Sequence, residues 1–205
     1  MSQKIDFKPG NMLYPLPAVM VSCGKGDKAN ILTVAWAGTV CSDPPMVSIS
    51  VRPERHSYPL IRESGEFVIN LVTEDLVRAA DYCGVRSGRD TDKWQDCGLT
   101  KAESGTVSCP AIAESPVNIE CRVRSMQELG SHTMFTAEVT AVRVDGRYMT
   151  DKGSFRLNDA GLITYSHGTY FALGKALGTF GFSVKKKTAR PGKDRVRQRP
   201  EKKKQ

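Results

Sequence analysis

Strict two-residue alternation constrains this chain more than any other feature it carries. In VNIECRVR, residues 117–124, Val117, Ile119, Cys121 and Val123 interleave with Asn118, Glu120, Arg122 and Arg124. Successive side chains of a strand point to opposite faces, so the pattern specifies a half-buried strand and does not fit an amphipathic helix. Residues 47–51 repeat it with Val47, Ile49 and Val51, and residues 66–71 with Phe67, Ile69 and Leu71. Residues 18–23 (AVMVSC) form an apolar run that turns at 24–27, and 30–36 (NILTVAW) reads as the returning strand of a hairpin. Residues 133–144 and 162–165 add further strands. Six or seven such strands predict a mainly β fold of the barrel type.

Helical signals are short and few. Ser57 is placed to cap a helix that Pro59 opens and Gly65 closes, and Thr73 to cap residues 74–83 with Gly84 as the stop. Two helices of this kind cannot supply the crossovers of a doubly wound parallel sheet. Residues 86–93 (RSGRDTDK) read as a polar loop of the sort that carries binding groups. Residues 170–182 space Gly174, Gly178 and Gly181 so that backbone can pack closely, either within the chain or against a second copy.

With 205 residues, 40% of them hydrophobic, the chain can bury a core without disulfides or metal. Its longest uncharged runs, residues 9–24 and 29–42, fall short of the ~18 residues a membrane helix requires. MSQKIDFKPGNM has no apolar signal-peptide core, so a cytoplasmic protein is expected. The formal charge of +8 resembles a nucleic-acid footprint until it is split by position. Residues 185–205 hold eleven Lys or Arg against Asp194 and Glu201, whereas residues 1–184 hold nineteen basic and twenty acidic residues. The expected organisation is therefore a near-neutral domain over residues 1–184 and a basic, flexible tail over 185–205. A nucleic-acid-binding barrel stays the alternative of another class, though the body lacks the interleaved aromatic and basic residues such a surface needs.

The six cysteines lie at least twelve residues apart, without the CxxC pairing of zinc ribbons and thioredoxin-type dithiols. His56, His132 and His167 show no metal-ligand spacing, and no metal site is expected. GKGDKA, residues 24–29, matches a dinucleotide fingerprint, but that motif needs a helix after the glycines and a strand follows here. No G-x-S-x-G elbow, Walker loop or H-E-x-x-H is present, so hydrolase and triphosphatase chemistries have no anchor and no catalytic nucleophile is expected.

Taken in order, PLPAVMVS, NILTVAW, PPMVSISVRPERHSYPLIRESGEFVINL, SGRDTDKW, SHTMFTAEV and ITYSHGTYFALGKALGTFGF resemble the flavin reductase-like FMN-binding split barrels, and within them the flavoredoxins. The resemblance spans residues 13–182. It implies a Greek-key split β-barrel, a homodimer, and noncovalent FMN held by Asn30, Thr33, Trp36, Arg55, His56, Ser57, Lys93, His132 and Tyr165. Those residue types suit the ligand. A phosphate dianion needs clustered donors, which ERHSY offers through Arg55, His56 and Ser57 at a helix start. A flavin ring needs a flat neighbour, and Asn30 and Trp36, six residues apart on one strand, would face it together. Lys93 is the candidate cation for the phosphate or the reduced ring. The resemblance implies electron transfer to a protein partner, or alternatively an NAD(P)H:FMN oxidoreductase that supplies reduced flavin.

Overall fold

The computed structural model describes residues 2–185, so the basic tail falls almost wholly outside the described residues. Its compact unit ends at Leu173, and a second, separate unit starts at Gly174. The strands are β1 (Leu16–Pro17), β2 (Val19–Cys23), β3 (Asn30–Val34), β4 (Ala37–Ser42), β5 (Pro45–Val51), β6 (Glu66–Leu71), β7 (Lys101–Ala102), β8 (Ala111–Ile112), β9 (Val117–Glu128), β10 (Thr133–Val144), β11 (Ile163–Ser166) and β12 (Thr169–Ala172). Helices α1 (Ser57–Ser64), α2 (Val77–Val85) and α3 (Lys93–Asp96) lie between them.

Seven strands form one antiparallel sheet in the order β3-β2-β6-β9-β10-β5-β4. Its two edges, β3 and β4, are consecutive in the chain and joined only by Ala35 and Trp36. A flat sheet would hold those edges six strand spacings apart, roughly 29 Å. Three Cα–Cα steps reach about 11 Å at most, so the sheet has to curl until its edges approach. The result is the split barrel that the family resemblance implies, and the Ser50 N–H donating to the Trp36 carbonyl at 2.9 Å carries the β4–β5 pairing into the link between the edges.

The barrel interior collects the apolar side of each alternating strand: Val47, Ile49 and Val51 from β5, Phe67 and Ile69 from β6, Cys121 from β9, and Phe135 and Ala137 from β10. Ile61 of α1 is buried in the same cluster, and the Tyr58 ring packs edge-on against Phe135. β2 is buried on both faces, because α2, the turn before it and α3 cover its outer side through Leu76, Ala80, Cys83 and Trp94. A doubly buried strand loses the alternation and reads as a continuous apolar run, as AVMVSC does.

Several boundaries depart from the sequence reading. The returning strand of the hairpin ends at Val34, so Trp36 lies past β3 in the link to β4 and does not share a strand with Asn30. Ser57 is the first helical residue of α1, not its cap; its hydroxyl accepts a hydrogen bond from Asn30 instead. Thr73 makes no side-chain cap, and α2 runs through Gly84 to Val85. The glycine lets α2 lie close to β3, since a Cβ there would stand 3.3 Å from the Thr33 Cβ, a tight contact. Asn118 and Glu120, expected on the solvent side of β9, are buried under the chain that carries β7 and β8. Glu120 accepts from the Gly105 N–H at 2.9 Å and from the Thr106 N–H at 2.6 Å. Residues 170–172, read as part of a glycine-spaced packing segment, belong to β12, which pairs with β11.

Candidate functional site

A groove runs beside β3, made of two adjoining cavities of about 630 and 520 Å³ that share Leu32, Arg52 and Arg55. All nine residues singled out in the sequence line it. Thr33, Trp36, Arg55, His132 and Tyr165 border the first cavity. Asn30, Arg55, His56, Ser57 and Lys93 border the second. The residues come from β3, the link to β4, the start of α1, α3, the turn before β10, and β11, which the curled sheet brings to one edge.

The second cavity is the charged end. Arg55, Arg86 and Arg89 converge on it, and among the described residues none of the three pairs with a carboxylate. The Arg55 Nη1–H donates to the Gly84 carbonyl and the Arg89 Nη2–H to the Glu54 carbonyl, each at 3.3 Å. Glu54 also borders the cavity, but its carboxylate pairs with Arg52, and the three remaining guanidinium groups form a donor set matched to an anion with several oxygens. Behind them the Asn30 Nδ2–H donates to Ser57 Oγ at 2.8 Å, with both side chains buried. Gly88 lets the loop pass over this pair, because a Cβ on it would fall 2.3 Å from Asn30 Oδ1 and 2.9 Å from His56 Cδ2. Burial lowers the pKa of His56, and the positive charges of Arg89 and Lys93 lower it further while Asp90 opposes. An incoming anion would work against that lowering.

Lys93 is neither on a loop nor solvated. It opens α3 at 3% exposure, and its Nζ donates to the carbonyls of Ile31 and Cys83, both at 2.8 Å. It thus ties β3 to α2 while standing at the wall of the charged cavity. Burial lowers its pKa, the neighbouring Arg55 adds to that, and the Cys83 thiol pulls the other way.

The first cavity is the aromatic end. The Trp36 and His132 rings are parallel within 3°, with centroids 6.3 Å apart. Tyr165 packs on Tyr170 at 5.3 Å, since β11 and β12 place them directly opposite each other. His132 Nδ1 lies 2.9 Å from Ser131 Oγ. Burial, reinforced by Arg52, lowers its pKa, which favours the neutral imidazole. Flat apolar faces at one end and unpaired cations at the other can hold an amphipathic ligand with a planar ring and a phosphate.

The sequence reading missed Arg86, Arg89 and Tyr170. The first two belong to a loop already marked as polar, and no spacing rule says which of its cations turn inward. Tyr170 was signalled only by the short alternation of β12, which the nearby glycines obscure.

Comparison with known proteins follows the same lines. A family model described as the flavin reductase like domain matches residues 12–174. The solved flavoredoxin of Desulfovibrio vulgaris (Miyazaki F) superposes with a TM-score of 0.82 at 32% identity, covering 89% of this chain and 100% of that one. The flavoredoxin from Methanosarcina acetivorans gives 0.80 at 26% identity, with the same coverage of 89% and 100%. An uncharacterised protein of Pyrococcus abyssi is 35% identical over 130 residues, 63% of this chain and 74% of that one.

Proposed function

The chain belongs to the flavin reductase-like family, and from that premise we propose that it is a redox protein that binds FMN noncovalently and passes electrons through it, in the manner of a flavoredoxin. One observation carries the reading: a single groove has three unpaired guanidinium groups at one end and stacked rings at the other. β3 between the ends spans about 13 Å over four residue steps, the scale of a sugar chain between a ring and a phosphate. Arg55, Arg86 and Arg89 neutralise the phosphate, while Asn30 and Ser57 fix the floor of that cavity. Trp36, His132 and Tyr165 orient the ring and keep water from it. When bound, the flavin supplies the hydride and single-electron chemistry; the protein sets its orientation and electrostatics. Lys93 adds buried positive charge at the phosphate end of the groove.

The same reading takes the working form as a homodimer that contacts a partner protein and stays in the cytoplasm. The described part of the second unit leaves Leu177 and Phe180 exposed, the apolar surface a second copy would cover. Light scattering on the purified protein tests the dimer. The flavin itself is tested by titration. FMN should bind at one per chain, lose its fluorescence and show a two-banded visible spectrum. Unquenched FMN in the presence of folded protein rejects the proposal. Steady-state oxidation of NADH or NADPH by the loaded protein would mark a reductase, and its absence a carrier.

A further inference from the structure

We propose that Cys83 and Cys97 form a redox-active thiol pair that reduces small-molecule disulfides and closes a Cys83–Cys97 bond in doing so. The two Sγ atoms lie 4.0 Å apart, and both residues are free thiols. Cys83 is fully buried on α2, whereas Cys97, which follows α3, is partly accessible. The other thiols with a polar neighbour face backbone carbonyls: Cys23 those of Asn30 and Ser57, Cys121 that of Ile119, Cys41 that of Asp43. The pair was invisible as a motif because fourteen residues separate its members; the fold joins them by laying α2 and α3 on the outer face of β2 and β3.

Their approach is held from both sides. Lys93, the first residue of α3, donates to the carbonyl of Cys83 itself, and the Cys97 N–H donates back to the Lys93 carbonyl at 3.3 Å. The exchange then balances in two steps. Cys97 Sγ, as thiolate, attacks one sulfur of the incoming disulfide, whose S–S bond breaks and releases one thiol. Cys83 Sγ, as thiolate, attacks the Cys97 sulfur of the mixed disulfide and releases the second thiol. The protein loses two electrons and two protons, and the small disulfide gains both as two thiols. Cys97 is the entry point because it alone reaches solvent. Burial pushes Cys83 up to about 12, and Lys93 works against that; at Cys97 burial also raises the value, with Asp96 opposing and Lys93 favouring the thiolate. The second step therefore depends on proximity, since a tethered thiol attacks at a high effective concentration. The bond ties the ends of segment 84–96, which carries Arg86, Arg89 and Lys93.

The test is incubation of the native protein with oxidised glutathione at pH 8, then alkylation, intact mass and peptide mapping. The expected product has lost two hydrogen atoms, carries no glutathione, and links Cys83 to Cys97. Cys83→Ser should stop at a stable glutathione adduct on Cys97, and Cys97→Ser should stay unmodified at position 83. Native protein that stays fully reduced, that accumulates the adduct at Cys97, or that links any other two cysteines overturns the proposal. Should either variant fail to fold, the mapping of the native protein decides alone.

Discussion

At the scale of single residues, Lys93 shows how one side chain serves both fold and site. Its ammonium satisfies two buried carbonyls that no water reaches, those of Ile31 and Cys83. Lys93→Met keeps the stem but strands both acceptors, at a cost of about 2–4 kcal/mol. Lys152→Met, on an exposed turn, should change stability by about 0.5 kcal/mol or less. Urea unfolding of the two variants measures the difference, and equal midpoints would mean that Lys93 is not holding β3 to α2. His56 and His132 give a pH signature. Both have folded values below the usual ~6.5 of the unfolded chain, so between the two values the unfolded state binds more protons and stability rises with pH. Their contribution is complete above about pH 6.5 and fades as pH falls through the depressed folded values. The urea midpoint of the flavin-free protein should therefore drop between pH 7.5 and 5.5, and combining His56→Gln with His132→Gln should flatten that slope. A slope unchanged in the double variant would assign it to other groups.

At the scale of elements, the loop over the charged cavity is the most constrained piece of chain. Gly88→Ala places a methyl group 2.3 Å from the Asn30 amide oxygen and against His56, and because the buried amide is held by its bond to Ser57, the loop must lift or that bond must break. The expected cost is about 1–3 kcal/mol, with weaker FMN binding alongside. Gly26→Ala meets nothing within 4 Å and pays only for its φ of 57°, about 1 kcal/mol, without touching the groove. Calorimetry of both variants, with FMN titrations, separates crowding of the site from simple backbone strain. The elements also show where sequence was informative. β5 and β10 were legible because one face of each meets a core and the other does not, which writes a period of two into the residues, whereas β6 is buried on both faces and showed the period only through Phe67, Ile69 and Leu71. β4 was not, because AGTVCS is a mostly exposed edge strand that pairs only with β5 and owes its conformation to that partner. The helix caps failed for a related reason: Ser57 could have capped α1, but a buried partner on β3 claimed its hydroxyl. Tertiary contacts decide between two hydrogen bonds that local sequence ranks alike.

At the scale of the whole molecule, the groove exists because the sheet closes on itself. Tyr165 and Asn30 are 135 positions apart in the sequence, and no spacing rule places them on one groove; the order of family segments did, while the inward turn of Arg86 and Arg89 came only from the fold. The two ends of that groove should contribute separably to ligand stabilisation. FMN at one hundred times its dissociation constant should stabilise the protein by about 2.7 kcal/mol. For a chain of this length that is roughly 5–11 °C in thermal midpoint. Riboflavin presents the same ring without the phosphate and forfeits at least one charge-assisted hydrogen bond, about ten- to hundred-fold in affinity. At the same concentration its stabilisation falls to about 0.4–1.4 kcal/mol, or roughly 1–6 °C. Arg86→Gln combined with Arg89→Gln should bring the FMN shift down towards the riboflavin value and leave the riboflavin shift unchanged, because only the charged end is altered. Raising the salt concentration should narrow the gap between the two ligands in the native protein as well, since screening weakens the phosphate contacts and not the stacking. Equal shifts for FMN and riboflavin would remove the phosphate from the charged cavity. A riboflavin shift that fell together with the FMN shift in the double variant would mean that the two ends of the groove do not act separately.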